Sequence, residues 1–88
     1  MRATWLEGLK VRVESDLNFE VLHYSDSRYE KLTAEVQYKG QPIAQINQDR
    51  GVGNLELEIF ADVEDAVLKV PLSGFLQAII LAKEFIAE

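Results

Sequence analysis

The chain has 88 residues, of which 48 % are hydrophobic, no cysteine and a formal net charge of −6. That length supports one core rather than two, and the composition is that of an ordinary folded domain, which excludes a disordered chain. Without cysteine, neither a disulfide framework nor a thiolate metal site can form, and a reducing, cytoplasmic setting is expected.

The charge is unevenly spread. Residues 1–39 carry six Lys/Arg against seven Asp/Glu, whereas residues 40–88 carry three against eight. An acidic surface repels phosphate, so nucleic acid and anionic membrane are poor partners and a basic protein is the better one. The ordinary alternative is that the charge only keeps a small domain in solution. Residues 1–10 lack the apolar run of a secretory signal. The longest apolar stretch, Ala78 to Ala82, is five residues, far short of the roughly twenty that span a bilayer. A soluble protein is expected.

In chain order, Thr4-Trp5-Leu6-Glu7 has the spacing of a capping box, which marks a helical turn. Leu9, Val11 and Val13 then alternate with Lys10, Arg12 and Glu14, predicting a strand over 8–14. Ser15-Asp16-Leu17-Asn18 supplies turn formers before a second strand over 19–24. After a loop at Ser25-Asp26-Ser27-Arg28, Leu32, Ala34, Val36 and Tyr38 fall on one face of a third strand. Lys39-Gly40 reads as a tight turn leading into a return strand over 43–46. Pro42 cannot donate to a ladder and belongs at that strand's start or on an edge. Residues 48–54 are turn-rich. Leu55, Leu57 and Ile59 alternate with Glu56 and Glu58, the plainest half-buried strand in the chain. A further short strand is predicted over 66–70.

Pro71 and Ser73 mark the start of a helix over 73–87, with Ser73 as N-cap. Leu72, Leu76, Ile79, Lys83 and Ile86 follow its 3.6-residue period, flanked by Phe75, Ala82 and Phe85. Strands first and a helix last predict an α+β fold: a single domain over 1–88 with a mainly antiparallel sheet of about five to six strands and a C-terminal helix packed on one face.

No cluster carries recognisable chemistry. His23 is the lone histidine, with Ser25 and Asp26 beside it. Triad members meet from distant parts of a chain, so neighbours on one strand do not make one, and His23 reads as an exposed or edge-strand residue. It has no second histidine at zinc-ligand spacing. Gly51-Val52-Gly53 lacks the Gly-Lys-Ser/Thr and following helix of a phosphate loop and reads as a hairpin connection. Asp62, Glu64 and Asp65 lack the glycine and terminal glutamate of a calcium loop. They read either as solvated loop acids or, with Glu56 and Glu58, as one acidic contact surface. Trp5, Tyr24, Tyr29 and Tyr38 lie near element ends, where single aromatics close cores more often than they anchor interfaces. No catalytic residue, metal or cofactor is predicted.

Three stretches carry a resemblance: Tyr29-Glu30-Lys31-Leu32-Thr33-Ala34-Glu35-Val36, Ile46-Asn47-Gln48-Asp49-Arg50-Gly51-Val52-Gly53-Asn54-Leu55-Glu56-Leu57-Glu58-Ile59-Phe60, and Pro71-Leu72-Ser73-Gly74-Phe75-Leu76. With them the chain resembles, over 19–87, small bacterial α+β immunity-type proteins encoded beside polymorphic toxins. These stretches are mostly fold determinants, and residues 1–14 depart from the pattern. The resemblance implies a non-enzymatic binding protein that neutralises a cognate toxin, with no catalytic motif to carry over. Residues alone also admit a structural or assembly module that forms a homodimer and has no toxin partner.

Overall fold

A computed structural model describes residues 10–24, 31–51, 53–60 and 67–87. The described elements are β1 (Lys10–Val13), β2 (Asp16–Tyr24), β3 (Thr33–Tyr38), β4 (Gln41–Asn47), β5 (Glu56–Ile59) and α1 (Leu72–Ala87). The strands form one five-stranded sheet in the order β1-β2-β3-β4-β5, and every neighbouring pair is antiparallel. The fold is α+β, with the helix laid across β2 and β3.

Local chemistry sets the hairpins. Lys39 and Gly40 both have positive φ, 51° and 84°, so β3 and β4 are joined by the mirror-image two-residue turn whose twist suits a hairpin. Between β1 and β2 the chain reverses at Glu14 and Ser15, and β2 begins at Asp16. Of the expected turn formers, Ser15 lies in the turn, while Asp16, Leu17 and Asn18 belong to an irregular start of β2. Register jumps from Arg12↔Glu20 to Val13↔Asp16, and Asp16 Oδ1 accepts the Asn18 N–H at 3.1 Å. Pro42 sits near the start of β4, beside a register shift between Val36 and Gln37. An irregularity there accommodates a residue that has no donor, even in an interior strand.

Strand parity divides the sheet. Phe19 and Val21 of β2, Ala34 and Val36 of β3, and Ala44 and Ile46 of β4 are buried beneath the helix. The helix meets them with Gly74, Ala78, Ala82 and Ile86, all buried. This differs from the predicted stripe, in which Leu72, Leu76 and Lys83 faced inward; all three are exposed. The helix carries apolar residues on several faces, so period alone allows more than one inward stripe. Closeness of approach decides between them. A Cβ built on Gly74 would stand 2.6 Å from Phe19 Cε2 and 2.8 Å from Asp16 Oδ2, so at that point helix and sheet touch through a residue with no side chain. Ala78 and Ala82, both fully buried, continue the small inner face of the helix.

Three smaller expectations change. The helix starts at Leu72, and the Phe75 N–H donates to the Pro71 carbonyl at 3.0 Å, so Pro71 rather than Ser73 holds the cap position. Residues 67–70 have no regular secondary structure, so no strand forms over the described part of 66–70. His23 is neither exposed nor on an edge strand. It shares the parity of Phe19 and Val21 on interior β2 and lies half-buried beside the helix. Its Nε2 donates to the Phe85 carbonyl at 3.2 Å, and its ring centroid stands 4.9 Å from that of Phe85. The carbonyl only accepts, which places the proton on Nε2; Nδ1 is buried and makes no hydrogen bond among the described residues. His23 therefore ties the last turn of α1 to the sheet. Tyr38 acts as a core lid, its ring 4.8 Å from Phe19. Trp5 and Tyr29 lie outside the described residues.

Candidate docking edge

The sheet face opposite the helix is polar. On β3 and β4, Thr33, Glu35, Gln45 and Asn47 are buried there, and buried polar groups must find partners. They find them laterally. Thr33 Oγ1 donates to Gln45 Oε1 at 3.1 Å, and Gln45 Nε2 donates to Glu58 Oε1 at 3.0 Å. Asn47 Nδ2 reaches both Glu56 Oε1 and Glu58 Oε2 at 3.3 Å. Gln37 Nε2 donates to Glu35 Oε2 at 2.8 Å. The network follows from register, since Gln45 pairs with Glu58 and Asn47 with Glu56.

Glu56 and Glu58 thus share one face, as strand alternation predicts, and they are held by amides of the neighbouring strand. Arg50, in the connection between β4 and β5, adds a bond from Nη1 to Glu56 Oε2 at 2.9 Å. The connection is a hairpin loop, as its glycines predict: the Gly51 N–H donates to Gln48 O and the Asn54 N–H to Gly51 O, both at 2.9 Å. Gly51 has a φ of 96°. Asp62, Glu64 and Asp65 lie outside the described residues, so the structure brings together Glu56 and Glu58 alone of the five predicted contact acids.

The hydrogen bond from Arg50, followed by that from Asn47, holds the Glu56 carboxyl below its ordinary pKa. A carboxylate whose folded-state pKa is depressed contributes stability above its unfolded-state pKa and loses that contribution as pH falls through the folded value. The group is exposed, so the contribution is small. Arg50→Ala is expected to raise the Glu56 titration midpoint, read by NMR of its side-chain carboxyl. An unmoved midpoint would show that the Arg50 bond does not form in solution.

Opposite the acids, on the helix side of the same strand, Leu57 and Ile59 are 48 % and 65 % exposed. Strand alternation predicts these side chains as buried, and their direction is as predicted: Ile46 pairs with Leu57 and Ala44 with Ile59. The helix, however, rests on β2 and β3 and does not reach β5. Leu72 and Leu76, 70 % and 51 % exposed, leave a second apolar area on α1. Gln77, Ile80, Leu81 and Glu84 of α1 line a cleft of about 650 Å³ against β1. On a helix with 3.6 residues per turn, Leu72, Leu76 and Ile79 then lie on the other flank, towards β4 and β5.

Among the described residues, no group of His, Cys, Asp and Glu is placed to hold a metal ion, and no helix is long and apolar enough to cross a membrane. No family model, curated protein or solved structure matches this chain.

Proposed function

We propose that this chain is a non-enzymatic, cytoplasmic protein-binding domain, an immunity-type protein that occludes a basic bacterial toxin domain. The observation that supports it is the combination on β5 of exposed Leu57 and Ile59 with Glu56 and Glu58 on the opposite side. The apolar side chains supply contact area, and the acids select a cationic partner. Both carboxylates are already engaged by Gln45, Asn47 and Arg50, an arrangement that suits a fixed charged surface better than proton transfer. Asp62, Glu64 and Asp65 are assigned to the same contact on sequence alone.

The test is co-expression with the product of the gene adjacent to this one, which this reading expects to be a toxin. A stable complex and protection of the cell are expected. The double charge reversal Glu56→Lys/Glu58→Lys is expected to slow association about tenfold, since paired charges act mainly on the on-rate, and added salt should slow the wild type in the same direction. Surface plasmon resonance reads both effects. A complex whose on-rate ignores salt and charge reversal would remove the acids from the interface, and an adjacent gene product that never binds would sink the immunity reading.

A second reading rests on exposed Leu72 and Leu76, one turn apart on α1. Such a pair suits helix packing in a homodimeric assembly module. Sedimentation of the isolated chain separates the two readings: a tight dimer favours assembly and a monomer favours an unfilled partner site.

A further inference from the structure

The phase of the β4–β5 ladder is fixed by one bond. The Phe60 N–H donates to the Ile43 carbonyl at 2.9 Å, and β4 pairs with β5 as Ala44↔Ile59, Gln45↔Glu58, Ile46↔Leu57 and Asn47↔Glu56. In an antiparallel pair, residues that exchange hydrogen bonds alternate with residues that do not. Ile43 with Phe60, Gln45 with Glu58 and Asn47 with Glu56 are therefore the bonded pairs. The N–H and C=O of Leu57 and Ile59 point away from β4, and β5 is the last strand of the sheet. The same two residues thus offer exposed apolar side chains and outward-directed backbone groups. Natural edge strands are blunted by shortness, charge, proline or bulges. β5, Glu-Leu-Glu-Ile, is short and carries two carboxylates, but it has no proline and runs in unbroken register against β4.

We infer that β5 accepts an extended segment of the partner protein as a sixth strand, and that this segment alternates apolar and cationic residues. The inference rests on the protein-binding reading above and specifies how the partner is held. Main-chain bonds to Leu57 and Ile59 give affinity in such strand addition, while alternate side chains give specificity. The segment's apolar side chains lie on the helix side, beside Leu57 and Ile59. Its lysines or arginines lie on the other side, beside Glu56 and Glu58.

Charge works against the simplest competing occupant, β5 of a second copy, in the two registers that keep all of the strand paired. A two-fold pairing centred on Glu58 sets Glu58 against its own copy, and one centred on Leu57 sets Glu56 against Glu58 twice. Like charges directly opposite destabilise a strand pair. The other edge, β1, has the required alternation in Lys10-Val11-Arg12-Val13. Its cations are already engaged by Glu20, with Arg12 at 2.9 Å and Lys10 at 3.7 Å, and its Val13 is buried in its own core. A separate segment carrying its own cations meets neither obstacle.

The test uses the full chain, a short synthetic peptide alternating lysine and valine, and a control alternating aspartate and valine. Amide hydrogen exchange is followed by NMR. With the lysine peptide, the Leu57 and Ile59 amides are expected to exchange at least tenfold more slowly, while the Glu56, Glu58 and Phe60 amides, already bonded to β4, change little. The aspartate peptide is expected to protect neither. Ile59→Pro removes an outward N–H that β4 does not use, a placement edge strands tolerate. It is expected to abolish peptide binding with the far-UV circular dichroism retained. Should that variant misfold, the exchange pattern of the wild type decides. Unchanged Leu57 and Ile59 amides, equal protection by the aspartate peptide, or protection at β1 instead would each overturn strand addition. So would a wild-type chain that self-associates with those two amides already protected, because a second copy then fills the edge. A cognate toxin that binds wild type and Ile59→Pro equally well would refute strand addition and leave the protein-binding reading standing. Failure of the toxin to bind, with the peptide result intact, would have the opposite meaning.

Discussion

Phe19→Ala is expected to leave the protein unfolded or close to it at room temperature. Phe19 is the largest fully buried side chain among the described residues. Its ring centroid stands 4.8 Å from that of Tyr38 and 6.4 Å from that of Phe75, and its edge lies under Gly74. The ring is therefore the joint between β2, β3 and the first turn of α1. Truncating a buried phenylalanine to alanine costs about 3–5 kcal/mol, through lost transfer energy and the cavity left behind. Small domains are stable by only about 5–15 kcal/mol, and a chain of this length belongs at the low end of that range. Urea denaturation checks the expectation. Phe19→Leu keeps most of the volume and should lose much less. An alanine variant with an unshifted midpoint would mean that the helix is not seated on this ring.

Gly74→Ala is expected to destabilise the protein, although alanine is the better helix former. In an exposed helix interior the exchange would gain about 1 kcal/mol. Here the added methyl falls 2.6 and 2.9 Å from the Phe19 ring and 2.8 Å from Asp16 Oδ2. The carboxylate can turn aside; the ring cannot, because Tyr38 and Phe75 flank it. Overpacking a filled core costs about 1–3 kcal/mol, so strain outweighs propensity. Thermal melting should place the variant several degrees below wild type, and a rise in melting temperature would show that α1 stands further from the sheet than described. Gly74→Ala combined with Phe19→Leu should recover part of the loss, since the smaller side chain vacates the contested space.

These two sites show where sequence reading reached its limit. Strand alternation correctly gave the facing of β3 and β5, and Lys39-Gly40 gave the hairpin between β3 and β4, because both signals are local. The extent of α1 was legible to within a residue. Its buried face was legible in part: Ile79, Ile86, Phe75, Ala82 and Phe85 pack on the core as predicted. Leu72, Leu76 and Lys83 are exposed instead, because Leu72, Leu76 and Ile80 make the outer surface nearly as apolar as the inner one. The deciding quantity was the room beneath a glycine, which depends on a ring more than fifty residues away in the chain. The inward direction of His23 follows from its parity with Phe19 and Val21, a signal as local as strand alternation. At the candidate edge, the shared face of Glu56 and Glu58 could be read directly. Their ties to Gln45 and Asn47 could not, since these depend on a register set by the hairpin. The exposure of Leu57 and Ile59 was hidden for a related reason: alternation tells which way a side chain points, and says nothing of whether the opposing layer extends that far.

The order of the strands also bears on how the fold is reached. Every strand of the sheet bonds to its immediate neighbour in sequence, so each pairing closes only a short loop and carries a small entropic penalty. Topologies dominated by such nearby contacts cross their folding barrier faster than sheets woven from distant segments. The helix follows all five strands. On a growing chain the hairpins can therefore assemble in turn while Phe19, Val21, Val36 and Ile46 still lack their cover. That interval, before α1 arrives, is when the nascent sheet is most exposed to chaperones and to aggregation.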